Sequence, residues 1–412
     1  MTTWLIAQLG ARMHYAVPRI FASAGILDAL YTDICSAGRW ERPLRLLSGP
    51  GAPRAFRRLA GRVPEGVPQS RIRAFPRFGL AYAGRRAAAR TPSAATAAHL
   101  WAGRSFCNAV ISQGFGQAGA VYTFNSAGLE ILRRARELGL TTVVEQTIAP
   151  AAVEDALLES EHAAFADWQP RLRHNPNRAA FHERERAEWE CADLVVCASP
   201  FVREGIASCG GPVGRTAVVP YGVDPPSPPL LRSLAGRRLR ILTAGAAGLR
   251  KGTPYLLEAA RALQGAAVFR LAGDLSVSAS SERQLRESVE LVGPVPRAAM
   301  AQHFAWADLF LLPTLCEGSA TVCYEALAAG LPVITTPNAG SVVRDGIDGF
   351  IIPIRDGEAI VDAIERILLG RSLLAELSRN AARRAREFTV EKYGERLLAA
   401  LAGISEGVEV PC

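Results

Sequence analysis

Short, uninterrupted apolar runs constrain this chain more than any other feature. "TWLIAQLG", "GAVYTF", "TTVVEQ", "DLVVCAS", "LRILTAG", "AVFRLAG", "DLFLLPT", "PVITT" and "GFIIP" each last only a few residues. An apolar run too short for a buried helix reads as a strand covered on both faces, and such strands belong to parallel sheets flanked by helices. The helices are written between them, as in "AGLEILRRARELG", "AAFHERERAEWECA", "GTPYLLEAARALQG", "RAAMAQHFAWA", "TVCYEALAAG" and "GEAIVDAIERILLG". Ser199 and Pro200 supply an N-cap and a first-turn proline for another, "FVREGIASCG". The chain opens as strand, turn at Gly10 and helix, with "ARMHYAVPRIFASAG" as the helix; the residues after "RLAGD" are left as a polar stretch. The alternation breaks once, in "VVPYGVDPPSPPLLRSLAGRR", Val218 to Arg238, too rich in proline and glycine for a core element. The expected fold class is therefore α/β, with two Rossmann-like doubly wound domains, whose ligands sit beyond the carboxyl ends of the strands.

Composition narrows the class. At 412 residues, 49% hydrophobic and 21% charged, the chain can bury two or three cores. Its longest apolar stretches, such as "ADLFLLPTL", fall short of the roughly 18 residues a membrane-spanning helix needs, and the N-terminus lacks the basic start of a signal peptide. Eight cysteines contain no CxxC pair, so a reducing cytoplasm is expected. The net charge of +8 is concentrated: Arg39 to Arg90 holds thirteen arginines against Glu41 and Glu65, a surplus of +11 that leaves the rest at about −3. Within it, "PRAFRRLAGRV" sets Phe56, Leu59, Ala60 and Val63 at helical spacing. A solvated arginine-rich face and contact with an anionic membrane surface both fit, whereas no aromatic-basic motif points to nucleic acid.

The stretch "CEGSATVCYEALAAG", Cys316 to Gly330, follows "DLFLLPT" and so lies at a carboxyl edge. Its two glutamates, Glu317 and Glu325, raise three readings: a carboxylate pair, a metal site, or a helix start with favourable acidic residues. Gly318, Ser319, Ala320, Thr321 and Val322 form a small-residue turn whose amides and helix dipole would favour a phosphate, and Glu325 would accept from hydroxyl groups. Cys316 and Cys323 have no second Cys or His pair to complete a thiolate site, and two carboxylates from one turn do not flank a glycosidic bond. The chain's 47 basic residues include only two lysines, Lys251 and Lys392, and Lys251 stands in the glycine loop "GLRKG", where an ammonium can approach a diphosphate.

From about Leu239 to Asp356 the sequence resembles the retaining family-4 glycosyltransferases of the GT-B fold, the group 1 glycosyltransferases. The match runs through "GLRKGTPYLLEAARAL", "RLAGD", "LVGPVPRAAMAQHFAWADLFLLPTLCEGSATVCYEALAAGLPVITTPNAG" and "DGIDGFIIPIRD". The resemblance implies Glu317 facing the donor sugar, Glu325 on the ribose hydroxyls, Lys251 on the diphosphate and the Ser319 to Val322 amides on its distal phosphate, with base recognition by backbone around Val292 to Arg297. The family's second basic residue is absent, since Gly245 and Ala246 occupy its positions, and Arg250 is the substitute. In the first half, Gly10 stands where relatives have a glycine pair. Glu145 stands where they often have a histidine near the reacting sugar, with a capping or acceptor-binding carboxylate as its other reading. His14 is read either as a contact for acceptor or phosphate or as a packed helical histidine. The expected activity is metal-independent transfer, with retention, from a nucleotide-sugar donor to a glycan or lipid-linked acceptor, with no cofactor. The expected place is the cytoplasm or the inner membrane face, reached through Arg39 to Arg90. A nucleotide-sugar-binding partner that has lost catalysis is the alternative. The expected division is 1–220, a linker 221–236, a donor domain 237–385, and a C-terminal helix within 386–412 returning to the first domain.

Overall fold

Two parallel sheets organise the chain. The computed structural model describes residues 2–36, 59, 61–169, 175–224, 229–230, 232, 237–370 and 372–406. The strands of the first sheet are β1 (Trp4–Gln8), β2 (Leu27–Thr32), β3 (Ile72–Ala74), β4 (Ala120–Phe124), β5 (Thr141–Gln146), β6 (Leu194–Cys197) and β7 (Thr216–Val218). Their spatial order is β3-β2-β1-β4-β5-β6-β7, all parallel. The second sheet contains β8 (Leu239–Ala244), β9 (Ala267–Ala272), β10 (Val289–Gly293), β11 (Leu309–Leu312), β12 (Val333–Thr335) and β13 (Gly349–Ile351). It runs β10-β9-β8-β11-β12-β13, again parallel throughout. The fully buried β1, β4 and β11 show why these strands read as unbroken apolar runs.

Each sheet reverses direction once, between β1 and β4 in the first and between β8 and β11 in the second. At such a switch point the two flanking connections leave in opposite directions and a crevice opens above the carboxyl ends of the strands. The loops after β1 and β4 thus face one crevice, and the loops carrying Lys251 and Glu317 flank the other.

The two halves are joined at several places. The C-terminal helix Val390–Glu406 packs on the helix Ala16–Ser23 of the first domain, and Gly394 lies against Ile20. Beside it, the Val223 amide donates to the Phe388 carbonyl at 2.9 Å and Arg396 donates to the Pro220 carbonyl at 3.1 Å. A second junction uses the helix Ala151–Ala164 and the residues after it. Trp168 enters the second domain's core, and Phe165 meets Tyr255 edge-on with centroids 5.5 Å apart. Glu161, only 1% exposed, accepts from the Tyr255 hydroxyl at 3.0 Å and pairs with Arg355. A buried carboxylate needs such partners, so this contact fixes the two halves in register.

Several elements depart from the sequence expectation. The helix expected to start at Ala11 begins at Ala16, because Met13, His14 and Tyr15 take left-handed backbone conformations, with φ of 46°, 50° and 60°. The polar stretch after "RLAGD" folds as the helix Ala279–Ser288 and the edge strand β10, whose half-exposed position suits its polar character. Much of the expected basic surface, residues 37–58 and 60, lies outside the described residues, as do 225–228, 231 and 233–236 of the expected linker.

Candidate active site

The second domain builds its site from two loops. After β8 the chain makes a tight turn, Leu249–Lys251, whose buried Leu249 anchors it and leaves Arg250 and Lys251 projecting. Gly252 ends the turn at a φ of 66°, and a Cβ there would stand 1.9 Å from the Pro313 carbonyl oxygen, so the turn is pressed against the end of β11. The loop after β11 brings Glu317 alongside. One oxygen of Glu317, Oε1, lies 2.5 Å from Lys251 Nζ and 2.7 Å from Arg250 Nη1. Arg250 also donates to the Cys316 carbonyl at 3.0 Å, and its Nε is 3.8 Å from Glu154 of the first domain. Arg250 and Lys251, the two basic residues of the loop, thus converge on one carboxylate. Gly245 lies beside the lysine stem, with its Cβ position 3.4 Å from Lys251 Cε.

Past Glu317, the helix Thr321–Ala328 starts without any side-chain cap. The Glu317 and Ala320 amides are used by the Asn338 and Ala339 carbonyls, leaving the first helical turn as the anion-attracting end. The Ser319 hydroxyl is engaged by Tyr324 at 2.7 Å and the Gly340 carbonyl at 3.0 Å, so its backbone is what remains for a ligand. Ala320, Thr321 and Val322 line a cavity of about 410 Å³ with Lys251, Glu317 and Glu325. Gly318 has a different place. A Cβ on it would lie 1.9 Å from the Thr147 carbonyl oxygen, and its own carbonyl accepts from the Ser199 hydroxyl at 2.5 Å, so Gly318 is a further place where the two domains touch.

Glu325, in the second turn of this helix, is half-buried and sits 3.3 Å from Arg297 Nη2. Burial lifts its carboxyl above the usual glutamate range, and the nearby Arg297 partly offsets that. Arg297 also contacts His14 of the first domain, closing a bridge across the cleft. The sequence expectation marked the backbone around Arg297 and missed its side chain, although a charge on the first helical residue after Pro296 was the available signal.

The larger cleft, about 1110 Å³, is lined by Gly10 and His14 on one side and Glu317, Gly318, Ser319, Thr321 and Glu325 on the other. Gly10, at a φ of 81°, donates its amide to Asp33 Oδ1 at 3.1 Å. His14 faces the cleft from the left-handed turn, which corrects its expected helical placement; burial, then Arg297 and Arg19, hold its pKa below the ordinary value. Glu145 is kept out of the cleft. It is 1% exposed, and its two oxygens accept from the Tyr122 and Tyr221 hydroxyls at 2.6 and 2.8 Å. Burial raises its pKa, and nearby Thr147 lines the cleft, its hydroxyl accepting from Arg12 at 2.6 Å and donating to Asn125 at 2.9 Å.

Cys316 and Cys323 are buried, and burial pushes both thiols up to about 12. Among the described residues no three His, Cys, Asp or Glu side chains gather as a metal-ion site.

The contact at Gly318 can be tested by overfilling it. Gly318→Ala should lower the thermal midpoint by the equivalent of about 1–3 kcal/mol and loosen the interdomain contact, seen as a larger radius of gyration. A variant with the midpoint and radius unchanged would mean that the Thr147 carbonyl does not sit there.

Residues 238–369 match the family described as glycosyl transferases group 1. Over 197 residues the chain is 28% identical to the amylovoran biosynthesis glycosyltransferase AmsK of Erwinia amylovora, covering 44% of this chain and 48% of that one. Over 256 residues it is 29% identical to a D-inositol 3-phosphate glycosyltransferase of Geodermatophilus obscurus, covering 56% of each. The chain thus spans about half the length of these curated relatives. Among solved structures, a sucrose-phosphate synthase from Thermosynechococcus elongatus superposes with a TM-score of 0.68 at 18% identity, covering 99% of this chain and 100% of that one. Anabaena Alr3699/HepE, in complex with UDP and glucose, superposes with a TM-score of 0.62 at 14% identity, covering 98% and 100%. The chain therefore has the GT-B fold, and its residues 238–369 form a group 1 glycosyltransferase domain.

Proposed function

We propose that this chain is a glycosyltransferase that moves a sugar from a nucleoside-diphosphate sugar to a glycan or lipid-linked acceptor, with retention and without a catalytic metal or cofactor. The observation that carries the reading is the convergence of Lys251 and Arg250 on Glu317 beside an uncapped helix start, at the switch point of the second sheet. A diphosphate would take over the two cations from Glu317 and accept from the first helical amides, and Glu325 would accept from the ribose hydroxyls. Glu317, released from the cations, would hold the sugar's hydroxyls. Glu145, locked beneath the cleft by two tyrosines, is not available as a base, and in this reading the leaving phosphate oxygen would take the acceptor proton on the same face of the sugar. That is the chemistry of retention.

AmsK, by name a glycosyltransferase of amylovoran biosynthesis, and HepE, solved with UDP and glucose, support a nucleotide-sugar donor and a role in surface-polysaccharide synthesis. No helix among the described residues is long and apolar enough to cross a membrane. We place the enzyme in the cytoplasm, with the basic Arg39 to Arg90 segment bringing it to an anionic membrane face.

Incubation with UDP-, GDP- and ADP-sugars should release free nucleotide slowly from one of them, as water replaces the acceptor. Glu325→Ala should weaken binding of that nucleoside diphosphate about tenfold or more, while Glu317→Gln should bind it at least as tightly as the parent and release less nucleotide from the sugar donor. Nucleotide binding without release from any donor would favour a binding partner that has lost catalysis, and no binding at all would remove the transferase reading.

Acidity gives a separate check. Since the Glu325 pKa lies above the usual 4.5, this carboxylate gains its proton at a higher pH than a free glutamate as the solution is acidified. Nucleoside diphosphate affinity should therefore fall on acidification before ordinary carboxylates titrate, and Glu325→Gln should flatten that part of the profile. An identical acid limb in the variant would assign the effect to another group.

A further inference from the structure

Glu145 is a buried acid that the proposed transfer does not use, and it sits where the two domains are joined. Its carboxylate, 1% exposed, is met from both the first sheet and the connection leaving it. Tyr122 of β4 donates to Oε2 at 2.6 Å, and Tyr221, on the first crossing between the domains, donates to Oε1 at 2.8 Å. Tyr393, on the C-terminal helix that follows the second crossing, brings a third buried phenol into its electrostatic reach, and Arg12 is a cation within that reach. We propose that Glu145 is the pin of the interdomain hinge: through Tyr221 it holds the crossing segment in place and so sets the spacing of the two walls of the cleft. It is a positioning residue, and the inference rests on the transferase reading only for its effect on turnover.

The two crossings are interlocked beside this carboxylate. The Val223 amide donates to the Phe388 carbonyl at 2.9 Å, and a Cβ on Gly222 would stand 2.1 Å from the Thr389 carbonyl oxygen. The Tyr221 and Tyr393 rings meet edge-on with centroids 5.6 Å apart, and Arg396 donates to the Pro220 carbonyl while lying over the Phe388 ring at 4.8 Å. Neither crossing can shift without the other. The same segment, Tyr221 to Asp224, lines the large cleft. The lock extends to the donor wall through Tyr324, the neighbour of Glu325. Its phenol, 1% exposed, bonds to the Ser319 hydroxyl at 2.7 Å and has the Tyr221 backbone and Arg396 beside it, and its ring meets Phe388 edge-on at 5.9 Å. A continuous series of buried contacts thus runs from the donor turn through Tyr324 and Tyr221 to Glu145 and the first sheet.

A carboxylate is a costly choice for such a place. Its raised pKa records the desolvation that burial imposes, and apolar side chains often serve stability better at a site of this kind. What the carboxylate adds is direction, since its two acceptor oxygens fix two phenols, one on the sheet and one on the crossing. Transfer is sensitive to that placement, because a displacement of about 1 Å costs about 100-fold in rate.

Two single hydroxyl deletions separate positioning from stability. Tyr122→Phe and Tyr221→Phe each remove one hydrogen bond from the same buried carboxylate, but only the second cuts the link to the crossing. Amide hydrogen exchange is followed in peptides covering 219–224 and 388–394. We expect Tyr221→Phe to speed exchange there about tenfold or more, while Tyr122→Phe leaves it within about twofold of the parent. Nucleoside diphosphate affinity should be unchanged in both, whereas kcat for nucleotide release from the sugar donor should fall about tenfold in Tyr221→Phe alone. Glu145→Gln, which keeps one acceptor oxygen, should lie between the parent and Tyr221→Phe in exchange and in turnover. Equal effects of the two tyrosine variants, or hinge exchange unchanged by Tyr221→Phe, would overturn the pin, and faster exchange with unchanged turnover would overturn its positioning role. A parent protein that releases nucleotide from no donor would overturn the transferase reading instead, and the exchange comparison would still decide the pin.

Discussion

A single carboxylate oxygen shared by two cations sets the character of this molecule. Glu317, mostly buried, draws Lys251 and Arg250 onto Oε1, and through Arg250 it is coupled to Glu154 of the other domain. Burying three charged groups together costs desolvation that only close pairing offsets. A fold that wanted stability alone would place apolar side chains there. Under the proposed function the cluster would act as a charge-exchange site, in which an incoming diphosphate takes the partners that Glu317 now holds. The ligand then meets cations already positioned, and little reorganisation accompanies its binding.

The parallel topology explains why these groups meet. Lys251 and Glu317 are 66 positions apart in the chain, but they follow neighbouring strands on either side of one switch point. The first sheet repeats the arrangement with the loops after β1 and β4, so two crevices face one another and Gly318 seats against Thr147 where they meet. Charges are divided between the two sides. The second domain offers Glu317 with two cations, Glu325 and an uncapped helix, while the first-domain side mixes arginines with Asp33, Glu65 and Asp224.

Much of this was legible in the sequence because it depends on local composition. Apolar runs such as "DLFLLPT" announce a doubly covered strand, and the rarity of lysine makes Lys251 conspicuous. Glu317, Glu325, Arg250 and Lys251 were found by their loops, and the structure gathers them on one wall. What could not be read depends on tertiary context. Three successive left-handed residues at Met13 to Tyr15 have no sequence signature, so His14 was placed on a helix it does not join. Glu145 is expected near the reacting sugar because relatives often have a histidine at that place, yet its environment is set by Tyr122 and Tyr221, 23 and 76 positions away in the chain. Gly318 looked like part of a phosphate turn, and only the close approach of Thr147 reveals it as an interdomain contact.

The most direct measurement is a crystal structure with the bound nucleoside diphosphate. The diphosphate should lie against Lys251, Arg250 and the amides at the start of the helix Thr321–Ala328, with both ribose hydroxyls on Glu325 and Arg297 moved off that carboxylate. A diphosphate bound elsewhere, with Lys251 and Arg250 still closed on Glu317, would contradict the exchange of partners from which the rest of the mechanism is built.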